Sequence, residues 1–478
     1  MLGPSPYSAA VATVSLLSAP CGAIIPCNGD KLGEMRTSVK TPRRPCLNKK
    51  DDDTKVCATE HGRPKEVCEC LEEFGLYNEA LTQFRAETVA WLEANCPQSQ
   101  RQPIVRDQQI WGGRRRVFPS EEAQQWFEAC RDKGYTAPEW PSEYGGGGLS
   151  SAQAKVLQQE MAKMRCRPPL YCQGLWMLGP ALLVYGNEAQ KREHLSAICR
   201  GEIRWAQGYS EPSAGSDLAN LKTKAEDCGD HFLVNGTKIW TTKADEADWI
   251  FCLVRTSDAT PKQAGISFLL IDMETEGVST SPIPLISGES EFCQTFFDNV
   301  KVPKANLVGE LNGGWAVAKE LLKHERKMMS AFEGMLEKPA MELLELAQHA
   351  VGVDDSGGLA DAELRSDIAR HLMRETAMAH LGERIYRQGK AKQSDPRLPL
   401  LMKYLGTCEA QTKDELILRA LGDEGLSMDD PTVSLGLRKM VKQWAFNKSL
   451  TIAGGTSEVQ LNIIAKRALG MPSAEGKS

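Results

Sequence analysis

Hydrophobic positions recur at three- and four-residue spacing over two long parts of the chain, and that period predicts amphipathic helices. In "ALTQFRAETVAWLEANC" the apolar positions are Leu81, Phe84, Val89, Trp91 and Leu92, and "EEAQQWFEACRDKG" runs to a glycine stop. The same texture fills 77–204 and returns from Trp315 to about 470, broken by the loops "VDDSGG" and "GDEGLSMDDP". Between these parts the period changes. "HFLVNGTKIWTT", "ADWIFCLVRT" and "GISFLLIDM" are short runs of β-branched and aromatic residues, and Asn235-Gly236 inside the first reads as a hairpin turn. The pattern predicts an α+β multidomain chain: a helical domain over 77–204, a small antiparallel β-domain over 205–310, and a C-terminal helical domain over 311–472. Residues 1–76 form an N-terminal extension and 473–478 a tail.

One helix breaks its own pattern. In "AKELLKHERKMMSAF", Ala318, Leu321, Leu322, Met328, Met329 and Phe332 share an apolar stripe, and Lys319, Lys323, Lys327 and Ser330 share the wet face. Glu325 falls on the apolar stripe. A carboxylate turned toward a core costs several kcal/mol unless it is paired, protonated or open to a cavity. A salt bridge to the neighbouring Arg326 is one reason for it; a working acid or base is another.

Composition narrows the class. A chain of 478 residues with 41% hydrophobic and 25% charged residues has the profile of a multidomain globular protein, and no stretch predicts a membrane span. The net charge of −6 offers no footprint for nucleic acid, and the local cluster Arg114 to Arg116 reads as a solvated turn. Fifteen scattered cysteines without a CxxC pair read as free thiols; Cys68, Cys70 and His61 match no zinc spacing, so no metal is expected. Residues 1–50 carry seven Lys or Arg against Asp30 and Glu34, an asymmetry that suggests a removable segment for the mitochondrial matrix or another organelle; without such a segment the expectation is cytoplasmic.

Hydrolytic motifs and a Rossmann fingerprint are absent. The glycine run of "WPSEYGGGGLSSAQ" has no strand before it and reads as a flexible turn into a helix near Ser150. The polar run "WAQGYSEPSAGSDLANLKT" is different. Gly208, Ser210, Ala214, Gly215 and Ser216 let backbone amides and hydroxyls approach a ligand, although an ordinary loop would look similar.

"GYSEPSAGSD", then "NGTKIWTT", "FDNVKVPKANLVGE" and "IAGGTSEVQLNIIAKRALGMP", in that order, resemble the acyl-CoA dehydrogenase family of flavoproteins over roughly 80 to 472. "PEWPSEYGGGGLS" and "LLVYGNEAQKREHL" are similar to the family's amino-terminal domain. The resemblance implies a helical domain, a β-domain and a C-terminal four-helix bundle with FAD between them, usually in a homodimer or homotetramer. It also implies dehydrogenation of an acyl-CoA thioester to the trans-2-enoyl-CoA, with electrons passed to an electron-transfer flavoprotein.

Carried over by motif, Gln207, Tyr209, Ser210 and Ser216 would wrap the flavin, with Ser216 also meeting the acyl-CoA. Trp240 would lie against the isoalloxazine ring and Thr242 would hydrogen-bond the hydride-accepting nitrogen. Thr456 and Glu458 would complete the cofactor site, and Gly455 and Arg326 would lie at the substrate. Many members carry the catalytic glutamate where this chain has Gly454; others carry it in a helical Glu-Arg pair, which "HER" at 324–326 matches. Glu325 is then the expected base. The chain also departs from the family: it lacks an "RxxFG" stretch after the catalytic helix, it has Lys323 where some members have aspartate, and its adenine-side loop reads Arg419-Ala-Leu-Gly422-Asp423-Glu-Gly425. Arg419 would have to offset Asp423 beside a pyrophosphate. An oxidase or monooxygenase on the same scaffold, or a catalytically silent flavin-binding subunit of a hetero-oligomer, stand as alternatives.

Overall fold

The computed structural model describes residues 65–103, 108–332 and 342–472, with side chains from 79 onward and, in the helix that carries Glu325, up to Glu325 itself. The basic segment 1–50 and the Cys68–Cys70 pair lie outside what it describes at side-chain level. Residues 18–87 form one unit, of which the helical stretch from Lys65 is described; the chain from Thr88 onward forms the other.

Three helices open the fold: α1 (Lys65–Asn95), α2 (Glu121–Asp132) and α3 (Ser151–Lys163). From Leu92 onward their apolar faces close a core of Leu92, Trp126, Cys130, Tyr135 and Leu157. Ser120 caps α2 by accepting from the Ala123 amide, and Ser150 caps α3 in a reciprocal box with Gln153. The glycine run before α3 is packed rather than slack, since a Cβ on Gly146 would lie 2.3 Å from the Trp140 carbonyl oxygen. Short helices α4 (Gly179–Tyr185), α5 (Glu188–Gln190) and α6 (Ser196–Cys199) follow; one π turn leads into α4 and another joins α5 to α6.

Seven strands form one sheet: β1 (Trp205–Gly208), β2 (Lys224–Asp227), β3 (His231–Thr242), β4 (Trp249–Arg255), β5 (Ile266–Asp272), β6 (Val278–Ile283) and β7 (Phe292–Pro303). Their order is β1-β4-β2-β3-β7-β6, with β5 on β4. Two expectations change here. The sheet is not wholly antiparallel, because β1 enters straight from the helical domain and runs parallel to β4. Asn235-Gly236 is also not a turn: β3 continues through it with a shift of register against β7. The glycine serves close approach instead, since a Cβ there would lie 2.5 Å from Thr223 Oγ1, and Asn235 Oδ1 accepts from the Asn299 amide at 2.8 Å.

The central strands are covered on both faces, which is why "WIFCLVR" is continuously apolar. Phe251, Leu253, Phe268 and Leu270 pack toward Trp140, Leu178, Leu182 and Leu321. Ile250, Cys252, Val254, Leu269 and Ile271 pack on Phe232, Val234 and Val302. Arg114 of the arginine cluster fastens the first domain to this sheet, while Arg116 binds within its own domain. Arg114 pairs with Asp272 at 2.6 Å and Glu274 at 3.0 Å, and Arg116 donates to the Gly201 carbonyl at 2.9 Å.

Helices resume with α7 (Gly314–Phe332), α8 (Leu343–Val351), α9 (Ala362–Lys390), α10 (Pro399–Leu421), α11 (Leu435–Asn447) and α12 (Ser457–Ile463). Leu343, Ala347, Leu364, Ile368, Leu416 and Ala420 are the apolar seam of α8 to α10. No helix among the described residues is long and apolar enough to cross a membrane. The described cysteines are free thiols, and no described group of His, Cys, Asp and Glu could hold a metal.

Asp414 of α10 is buried and accepts from Asn447 of α11 at 2.7 Å. Burial pushes its carboxyl up to about 6, against the opposing pull of the Asn447 donor and the Lys448 and Lys413 charges. A carboxyl raised in the folded state contributes fully only below its ordinary value of 3.8, and the contribution is lost as pH rises through about 6. Asp414→Asn should therefore raise the thermal midpoint at pH 8, by the equivalent of about 1–3 kcal/mol, with the difference shrinking as pH falls through about 6 and closing only below 3.8. A midpoint at pH 8 no higher than that of the parent would contradict this.

Candidate active site

The polar run after β1 is drawn tightly into the sheet. Gly208 is required where the chain turns inward, because a Cβ there would lie 2.9 Å from Ile250 Cδ1. The Tyr209 ring points into the core, edge-on to Phe251 and Phe268 at centroid distances of 6.1 and 6.4 Å. Ser210 lends its carbonyl to the Ile239 amide at 2.9 Å, which ties the run to β3 beside Trp240. Gln207 and Ser210 are half-buried, whereas Ser216 is exposed and Gly215 has open space where a side chain would stand.

A buried ion pair that sequence reasoning missed holds this run in place. Lys238 is fully buried; its Nζ donates to Glu211 Oε1 at 2.8 Å and to the Tyr209 carbonyl at 3.0 Å. Glu211 also accepts from the amides of Lys222 at 2.6 Å and Thr223 at 2.9 Å. Burial alone would raise the Glu211 carboxyl, but the Lys238 charge and these donors hold it below the usual range. The signal was available: Lys238 lies at an inward position of the strand that buries Phe232 and Val234.

Beyond Lys238 the β3 register against β7 shifts again before Thr241. Trp240 takes a positive φ of 62° there, so its indole stands half exposed and edge-on to Phe292 at 5.8 Å. Thr241 turns inward and donates to the Cys293 carbonyl at 2.8 Å, while Thr242 is half-buried at the end of the strand. The distortion thus presents one aromatic wall and one hydroxyl beside the Ser210 run.

Glu325 lies one turn beyond Leu321 on the core-facing side of α7, where Ala318 and Leu321 are buried. It is half-buried, and one carboxylate oxygen is shielded from solvent. On the outer side Glu320 pairs with Lys323 at 2.6 Å and with His324 at 3.3 Å. The Arg326 side chain is outside the described residues.

The remaining candidates sit in the C-terminal bundle. Gly454 and Gly455 both take positive φ, 64° and 98°, and lead into α12, which Thr456 caps by accepting from the Val459 amide at 3.3 Å. Glu458 is exposed in the first turn, and the Glu458 amide and the Thr456 hydroxyl hold its carboxyl low. Arg419 is engaged by α9: it pairs with Asp367 at 2.7 Å and Glu363 at 3.5 Å, while Asp423 is exposed nearby in the chain. The structure thus ties the run of Gln207, Tyr209 and Ser210 to β3 beside Trp240, with Thr242 at the end of that strand, and leaves Glu325 near enough to act electrostatically on Tyr209. It leaves Gly455, Thr456, Glu458 and Arg419 on the bundle.

Known proteins align with the same three-part layout. Family models for the acyl-CoA dehydrogenase N-terminal, middle and C-terminal domains match residues 79–202, 206–300 and 312–469. The acyl-CoA dehydrogenase IpdE1 of Mycobacterium tuberculosis is 32% identical over 391 residues, covering 82% of this chain and 97% of that protein. A solved steroid ACAD, Tcur3481-Tcur3483, superimposes with a TM-score of 0.60 at 30% identity, over 83% of this chain and 98% of that one. The ChsE4-ChsE5 complex of the same Mycobacterium gives 0.59 at 27% identity over 83% and 98%. This chain belongs to the acyl-CoA dehydrogenase family, whose members are flavoprotein oxidoreductases acting on acyl-CoA.

Proposed function

We propose that the protein uses FAD to dehydrogenate the α,β bond of an acyl-CoA to the trans-2-enoyl-CoA, with Glu325 as the base and an electron-transfer flavoprotein as acceptor. The observation that carries this reading is a half-buried carboxylate on the core-facing side of α7, close enough to act electrostatically on Tyr209 of the run that Ser210 ties to β3. The residues suit the cofactor. An exposed indole offers a flat wall, Gly215 leaves room for close approach, and Ser210, Ser216 and Thr242 offer hydroxyls. FAD, when bound, supplies the hydride acceptor.

An α-C–H beside a thioester is a very weak acid, so the base needs a high proton affinity and a fixed position. The half-buried site of Glu325 on the core-facing side of α7 favours a fixed position. Thr242 can donate a hydrogen bond toward charge that builds on the reacting system. A homodimer or homotetramer is the proposed assembly.

The test is direct. Heat-released chromophore should be FAD, and an electron-accepting dye should be reduced with at least one member of an acyl-CoA panel spanning linear, branched and steroid side-chain thioesters. A solved relative is a steroid ACAD, which is why the last arm is included. Purified protein that takes up FAD but is silent across the panel would overturn the proposal.

A further inference from the structure

The Tyr209 hydroxyl has no assigned partner. It is buried, with the residue 6% exposed, and its oxygen makes no hydrogen bond. A buried hydroxyl left in this way is destabilising, so a fold that keeps one needs a reason. Packing alone does not supply it, because phenylalanine would make the same edge contacts with Phe251 and Phe268. Tyr209 shares its core cluster with Ala318 and Leu321, and Glu325 follows on the same face of α7 at three- and four-residue spacing. The nearby carboxylate adds to burial in holding the phenol well above its ordinary range, so the hydroxyl remains a donor at every working pH.

We infer that Tyr209 is a positioning residue for the base: its hydroxyl donates to the Glu325 carboxylate in the substrate-bound enzyme and fixes both the rotamer and the ionised form of that carboxylate. The inference rests on the reading of Glu325 as the base. Other titratable groups on the elements around this face are Cys252 of β4, whose thiol donates to the Leu253 carbonyl at 3.7 Å, and Tyr185 of α4. On α7 itself Glu320, Lys323 and His324 satisfy one another. Donation to a carboxylate favours its charged form, so losing the donor raises the pH at which Glu325 becomes ionised.

The experiment is the pH profile of kcat/KM for acyl-CoA-dependent dye reduction by the FAD-loaded enzyme, compared between wild type and Tyr209→Phe. The acid limb should move up by about 0.5–1 pH unit, so the variant loses roughly 3- to 10-fold more at pH 6 than at pH 8.5. The substrate-free variant should melt no lower than wild type, since an unpartnered hydroxyl leaves an apolar site. An unmoved acid limb, or a lower melting point with equal loss at every pH, would overturn the inference and leave Tyr209 as packing. Glu325→Gln is run beside it: full reduction by that variant would overturn the base itself, a failure distinct from an unmoved limb in Tyr209→Phe.

Discussion

Glu325→Gln should bind acyl-CoA yet reduce dye about 10²- to 10⁴-fold more slowly, the range a positioned general base contributes. The amide keeps the shape and hydrogen-bonding capacity of the side chain and removes its proton affinity, so the loss should fall on kcat more than on KM. A different result follows if the carboxylate serves only as an ion-pair partner of Arg326. The change would then lower stability by about 3–5 kcal/mol, as for a broken buried pair, and whatever folded would still turn over. Single-turnover reduction with saturating acyl-CoA and a denaturant titration separate the two outcomes. Unimpaired reduction in the variant would show that the α-proton goes elsewhere.

The second large effect is on stability. Lys238→Met should cost about 3–5 kcal/mol, because it leaves the Glu211 carboxylate buried with amide donors and no countercharge. The same change frees the Tyr209 carbonyl, so the run carrying Ser210 should loosen and hold cofactor less well. Pairing it with Glu211→Gln removes the stranded charge and should restore most of the loss. Denaturant midpoints for the two single variants and the double variant measure the coupling. If Lys238→Met alone is as stable as the parent, the pair has no structural role.

Much of this architecture is legible in the residues, and what is not fails for local reasons. Helix period, the helix start near Ser150, and the apolar strands "WIFCLVR" and "GISFLLID" are short-range signals, and the fold follows them. The core-facing side of α7 was visible as a stripe, and with it the anomaly of Glu325. Asn235-Gly236 misled because its usual meaning depends on both residues lying at a chain reversal; here Thr223, just before β2, needs the space that a side chain would fill. The parallel pairing of β1 with β4 depends on contacts more than forty residues apart, which no local pattern encodes. Arg114 looked solvated because its partner Asp272 lies 158 residues further along the chain, with Glu274 beside it. Lys238 has an inward-position signal on β3, but its partner Glu211 lies 27 residues earlier in the run after β1, and only the folded chain sets the two face to face.

The pairing of β3 with β7 also sets an order of events during synthesis. His231 lies opposite Pro303 and Thr242 opposite Phe292, so the strand bearing Trp240 gains that neighbour only after the ribosome has passed residue 303. Until then one edge of β3 is open along its whole length, with β2 on the other. Open edges are templates for pairing with other chains, and non-local closure is slow. A nascent chain halted between 242 and 292 would thus be at its most vulnerable to aggregation, and a chaperone engaged over that interval would protect the segment from which the flavin patch is later made.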